Sequence, residues 1–150
     1  MVGLEASVKF FHAPKAEDEG VNVGWFQDQK YDDNTPVAKV ARWNKFGTKA
    51  GIPARPFMTR AMFNNEKKWI EQLKTLIQRA IDDNKDIDEA LKSFGEFAKG
   101  DIQATILAGG FVPNSKSTII RKGAGKMPLI DTGIMISSIQ ARTDKELLDV

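Results

Sequence analysis

Five groups of residues have types and spacings that bear on chemistry. In DDNKDIDEA, Asp82, Asn84, Asp86 and Asp88 occupy the first four ligand spacings of a calcium-binding loop. The pattern then stops, because Ile87 stands where that loop needs its turn glycine and Ser93 where it needs a bidentate acid. The stretch reads as a solvated interhelical loop with an N-cap. KGAGK resembles a phosphate loop, but Met127 replaces the magnesium-binding hydroxyl residue and Ile120 the leading glycine. His12 is the one histidine, in a chain with no cysteine and no nucleophile-elbow signature. Asp32 and Asp33 sit in turn-like sequence that suits solvent or capping. Lys116, Arg121, Lys122 and Lys126 fall within eleven residues free of acids. That cluster is suited to positioning the phosphates of a polyanion without reading its sequence, or to ordinary solubilising charge on a loop. No catalytic constellation is assembled, so the expectation is a protein that is not an enzyme and needs no metal or cofactor.

The elements that would position these residues follow from periodicity. SVKFFHA and VNVGWF alternate as strands, and PKAEDEG between them reads as a turn, which together predict a hairpin. Thr35 is the expected cap of a helix that begins at Pro36, carries Val37, Val40, Ala41, Trp43 and Phe46, and stops at Gly47. A long helix is expected from Phe57 to Ile81, with Trp69, Leu73, Leu76, Ile77, Ala80 and Ile81 on one face. A second is expected from Ile87 to Ile106, with Ala90, Leu91, Phe94, Phe97, Ala98 and Ile102 on its apolar stripe, ending at Gly109 and Gly110. PNSKSTIIRKG predicts a short helix capped by Asn114 or Ser115. LIDTGIMISSIQART predicts a helical turn capped by Asp131 or Thr132, passing into a strand near Ile139. The expected fold class is therefore α+β: a small, mainly antiparallel sheet with two long helices packed on one face, plus a short helix and strand at the C-terminal end.

Composition bounds the rest. The 150 residues suit one domain, 1–150, able to bury roughly two thirds of its unfolded surface without disulfides. A hydrophobic fraction of 41% and a charged fraction of 28% are those of an ordinary globular chain. No apolar run approaches the ~20 residues that span a bilayer, and the first residues lack a signal peptide's pattern, so the cytoplasm is the expected compartment at synthesis. A net charge of +2 is too small to mark a dedicated nucleic-acid binder.

The connector GTKAGIPARPFMTR, residues 47–60, is stiff and basic, with two glycines and two prolines. It belongs to a series of segments whose order resembles the tail-completion, or neck, proteins of long-tailed bacteriophages. A "neFGt…iPaRPF" segment is matched by Asn44, Phe46, Gly47, Thr48, Ile52, Pro53, Ala54, Arg55, Pro56 and Phe57. A later "S.sTi..R" segment is matched by Ser115, Ser117, Thr118, Ile119 and Arg121. A "pLidTG.l..Si" segment is matched by Pro128, Leu129, Ile130, Asp131, Thr132, Gly133, Ser138 and Ile139. The resemblance runs from about residue 20 to 142. It implies a virion subunit that forms a homo-oligomeric ring at the head–tail junction, after assembly from the host cytoplasm. That ring would join the head connector or adaptor to a tail terminator or another tail protein, surround the DNA channel, and need no cofactor. On that reading Arg55, Phe57 and Arg60 are expected at a subunit or partner interface, with Arg55→Ala leaving the monomer folded. Lys116, Arg121, Lys122 and Lys126 are the candidate DNA-facing residues. The alternative is a nucleic-acid-binding accessory protein that uses the basic segment 116–126.

Overall fold

The computed structural model describes residues 19–114, 120 and 133–149. The fold is α+β, with β1 (Val21–Gly24), α1 (Val37–Phe46), α2 (Phe57–Asp82), α3 (Ile87–Ala108), α4 (Ile134–Ser137), β2 (Gln140–Thr143) and α5 (Asp144–Leu148). The two strands form an antiparallel sheet, β1 beside β2, extended by the Asp144 N–H donating to the Gly20 carbonyl at 2.9 Å. The second strand of the expected hairpin is thus present as β1. Its partner among the described residues is the C-terminal strand, and SVKFFHA lies outside them.

The contacts group into two compact units. One comprises residues up to Val23, Met62–Asp101 and Gln140 onward; the other comprises Gly24–Ala61 and Ile102–Ile139. In the first, α2 and α3 pack together. Trp69 is buried, and its indole N–H donates to Asp101 at 2.7 Å. Ala90, Leu91, Phe94 and Ala98 form the inner stripe of α3. Gly95 lets α3 lie close on the sheet: a Cβ there would come within 2.6 Å of Ala141 Cβ and 2.7 Å of Val21 Cγ2. Two residues expected on the apolar faces lie at their edges instead. Phe97 is exposed beneath the Lys68 ammonium, and Ile81 is exposed in the last turn of α2.

The second unit is built around Val37, Ala41, Phe57, Ala61, Ile102, Ile106, Met135 and Ile139. Trp25 meets Phe57 edge to face, with ring centroids 5.6 Å apart, and its indole N–H donates to the Met135 carbonyl at 2.6 Å. Thr35 does not cap α1. Pro36 takes the N-cap position in an extended conformation, and the Val37 N–H is satisfied by the Gln29 carbonyl at 3.0 Å. A backbone bridge between Lys30 and Pro36 sets that geometry, while the Thr35 N–H turns back to Asp33. At α4 the N-cap is Gly133, in the left-handed region at φ 78°, rather than Asp131 or Thr132. Among the described residues, no helix is long and apolar enough to cross a membrane.

Candidate functional site

The elbow between α1 and α2 is fastened to its own surroundings at both backbone and side-chain level. Gly47 ends α1 at φ 74°, and any side chain there would strike the Ile52 carbonyl oxygen at 2.8 Å and the Ala54 nitrogen at 2.9 Å. Both the conformation and the space therefore demand glycine. The Thr48 N–H donates to the Ile52 carbonyl, and the Ile52 N–H to the Thr48 hydroxyl, closing the turn. The Arg55 N–H then donates to the Asn44 carbonyl at 2.8 Å, tying the elbow back to α1.

Arg55 is the centre of this arrangement. Its side chain is buried, with only 3% of the residue exposed. Nε donates to the Val112 carbonyl at 2.8 Å and Nη1 to Asn44 Oδ1 at 2.8 Å. Nη2 donates to the Pro113 carbonyl and Asn114 Oδ1, each at 3.2 Å. All four acceptors are neutral oxygens, and no carboxylate pairs with the guanidinium among the described residues. Burial lowers its pKa from the ordinary arginine value, but a guanidinium starts so high that it stays charged. A planar fork in a cage of oxygens is how a buried cation is tolerated without a counter-charge.

Arg60, one turn into α2, performs a related task. Nη1 donates to the Gly109 carbonyl at 2.8 Å and Nη2 to the Gly110 carbonyl at 3.2 Å, just past the end of α3. The guanidinium also lies over the Phe111 ring, 3.9 Å from its centroid. Gly109 and Gly110 both have φ near 70°, which turns those carbonyls outward. A cation at a helix C-terminus meets orphan carbonyls and the negative end of the helix dipole. Arg55 and Arg60 together hold residues 109–114 along the elbow, immediately before the basic segment 116–126. On the other side of that segment, Gln29, Trp25 and Gln103 donate to the carbonyls of Ser138, Met135 and Ile136 in and beside α4.

Of the three residues expected at an interface, Arg55 and Phe57 are buried within their own chain and Arg60 caps the end of α3. Phe57 is fully enclosed and Arg55's fork is occupied by its own chain, so in the single chain neither side chain is open to a partner. The intramolecular role is the one this geometry supports. Sequence reading could not see it, because the acceptors lie up to 59 residues away. Arg60 is half-buried and capping. Lys116, Arg121, Lys122 and Lys126 lie outside the described residues, as does His12. Of the acidic candidates, Asp86 accepts from the Asp88 N–H at 3.0 Å and caps α3, and Asp33 accepts from the Thr35 N–H. That bond lowers the pKa of Asp33. Among the described residues, no group of acids or histidines is placed to hold a metal ion.

No family model, curated protein or solved structure matches this chain. Its own surface is therefore the remaining guide, and one feature there was missed in the sequence. The outer face of α1 carries Lys39, Arg42, Trp43 and Phe46, all exposed, with Lys49 just beyond. Lys39 Nζ stands 5.0 Å from the Trp43 ring centroid and Lys45 Nζ 4.6 Å from that of Phe46. The available signal was the run from Asn34 to Asn65, thirty-two residues without an Asp or Glu.

Proposed function

We propose that this protein is a structural subunit of the head–tail junction of a long-tailed bacteriophage. It forms a ring that joins the head connector to the tail around the DNA channel. The observation that carries the reading is that the first marked segment is tied to itself at one side chain, which also holds the residues leading into the second. Asn44 and Arg55 both belong to the first marked segment, and Pro113 and Asn114 immediately precede the second. Asn44, Pro113 and Asn114 all accept from the Arg55 guanidinium. Asn44 and Arg55, eleven residues apart in that segment, are thus tied by physical contact, as expected when a motif encodes one local structure. Gly47 supports this further, since its position in the marked segment is one that no other residue fits without strain.

A ring is built from heterologous contacts, in which one patch meets a different patch of the next copy. The elbow contributes by rigidity: a connector with two prolines and a closed hydrogen-bonded turn has little freedom left to lose on docking. The contact itself falls to exposed apolar side chains, of which Phe63 on α2 is the most open at 85% exposure. The test is native mass spectrometry of the purified chain, together with labelling of its position in assembled virions. A closed homo-oligomer, or label at the neck, supports the reading. A phage lacking this chain that still joins tails to filled heads overturns it.

A further inference from the structure

The whole-chain charge of +2 hides a division. Among the described residues, the unit built on Gly24–Ala61 and Ile102–Ile139 has seven Lys and Arg against three Asp, a net +4. The other unit has nine Lys and Arg against thirteen Asp and Glu, a net −4. Within the basic unit, the exposed positive charge collects on α1 and the loop after it. Lys39, Arg42 and Lys45 follow one another at three-residue steps, a row about 9 Å long. Trp43 and Phe46 form a parallel row beside it. Lys39, Arg42 and Lys49 pair with no carboxylate among the described residues, whereas Arg55 and Arg60 are taken up internally. Lys39, Arg42 and Lys49 are exposed and thus placed to face a ligand.

We infer that the outer face of α1, with Lys39, Arg42 and Lys49 as cations and Trp43 and Phe46 as flanking rings, is a binding site for the sugar–phosphate backbone of nucleic acid. Exposed cations without counter-charges are complementary to a polyanion, and aromatic rings interleaved with them add sequence-tolerant contacts to unpaired bases. Lysine is depleted in protein–protein interfaces, so a face on which lysine supplies two of the three free cations favours phosphates over a protein surface. The contact positions a strand without reading its sequence. This inference is independent of the ring and concerns residues outside the 116–126 segment.

The test measures anisotropy of a labelled DNA duplex and of a labelled oligothymidylate with the full chain, over a series of salt concentrations starting at about 50 mM. The wild-type chain should bind, with affinity falling as salt rises. The triple variant K39E/R42E/K49E should weaken binding by roughly tenfold or more. It should also make the slope of log affinity against log salt shallower by about 2 to 3, one step per cation removed. The charge-preserving variant K39R/R42K/K49R should retain binding, and thermal melts of both variants separate loss of contact from loss of fold. Trp43→Ala should affect oligothymidylate more than duplex. Unchanged affinity and slope in K39E/R42E/K49E would overturn the site, as would failure of the wild-type chain to bind at the lowest salt. Salt-sensitive self-association abolished by the same variant, without DNA binding, would overturn it in favour of a second copy of this chain.

Discussion

At the scale of single residues, Arg55 is where the most structure depends on one side chain. Its fork reaches two backbone carbonyls and two amide oxygens that belong to two separate stretches of chain. Removing it takes a charged donor from four acceptors, and hydrogen bonds to a charged group are worth more than neutral ones. Arg55→Ala should therefore lower stability by about 2–4 kcal/mol, read as a fall in urea midpoint at unchanged slope. Arg55→Lys keeps the charge but has no planar fork for acceptors spread this way, so it should recover little of the loss. A lysine variant as stable as wild type would show that charge, rather than geometry, holds the elbow. The expectation that the alanine variant leaves the monomer folded took the residue to be on the surface, whereas it is buried and the variant should be measurably less stable.

At the scale of elements, Gly95 and the α5 cap show local rules overridden and obeyed. Glycine inside an exposed helix is ordinarily improved by alanine. In α3 the added methyl would meet Ala141 Cβ at 2.6 Å, and that atom sits on a strand that cannot swing away. Gly95→Ala should thus destabilise by about 1–3 kcal/mol, the usual effect of overpacking, and a rise in melting temperature would contradict the close helix–sheet contact. The α5 helix starts with a capping box: the Glu146 N–H donates to the Thr143 hydroxyl, and the Thr143 N–H to the Glu146 carboxylate at 2.9 Å. The Thr143 hydroxyl also holds the Asp88 carboxyl below the usual carboxylate range, with a smaller contribution from Lys92. Glu146 is lowered by the Thr143 N–H and then by Lys92, while Lys92 is raised by Asp88 and Glu146. Both carboxyls are depressed in the folded state. Their contribution is present above about pH 4 and disappears as pH falls through the lowered values. The Lys92 contribution runs the other way, present below the ordinary lysine range and lost as pH rises through the raised value. Lys92→Met should therefore reduce the dependence of the urea midpoint on pH at both ends. It should leave part of the acid limb, which Thr143 sustains.

At the scale of the molecule, assembly separates from stability at Phe63. With 85% of it exposed, Phe63→Ser should shift folding stability by no more than about 0.5 kcal/mol. If α2 meets a neighbouring copy in the ring, the same change should lower the oligomeric fraction in native mass spectra and reduce joining of tails to heads. Equal assembly by the variant would remove Phe63 from the contact of the proposed ring. The opposite net charges of the two units also make any association between copies sensitive to salt, since a basic and an acidic surface attract over only about a Debye length.

Much of the fold was legible because it is encoded locally. The apolar spacing of α2 and α3, Gly47 at the end of α1 and the Gly109–Gly110 stop each depend on residues within a turn or two. The observed helices begin and end within about two residues of those expectations. The Thr143–Glu146 capping box is equally local, a Thr followed three residues later by Glu. The remaining features are contacts across long stretches of chain, which no local pattern carries. Only tertiary structure pairs β1 with a strand some 120 residues later, replaces the Thr35 cap by the Gln29 carbonyl, and encloses Arg55 in oxygens contributed from Asn44 to Asn114. It also turns an unremarkable net charge into two units of opposite sign. A charge count sums over the chain, whereas a ligand meets only the residues that folding gathers on one face.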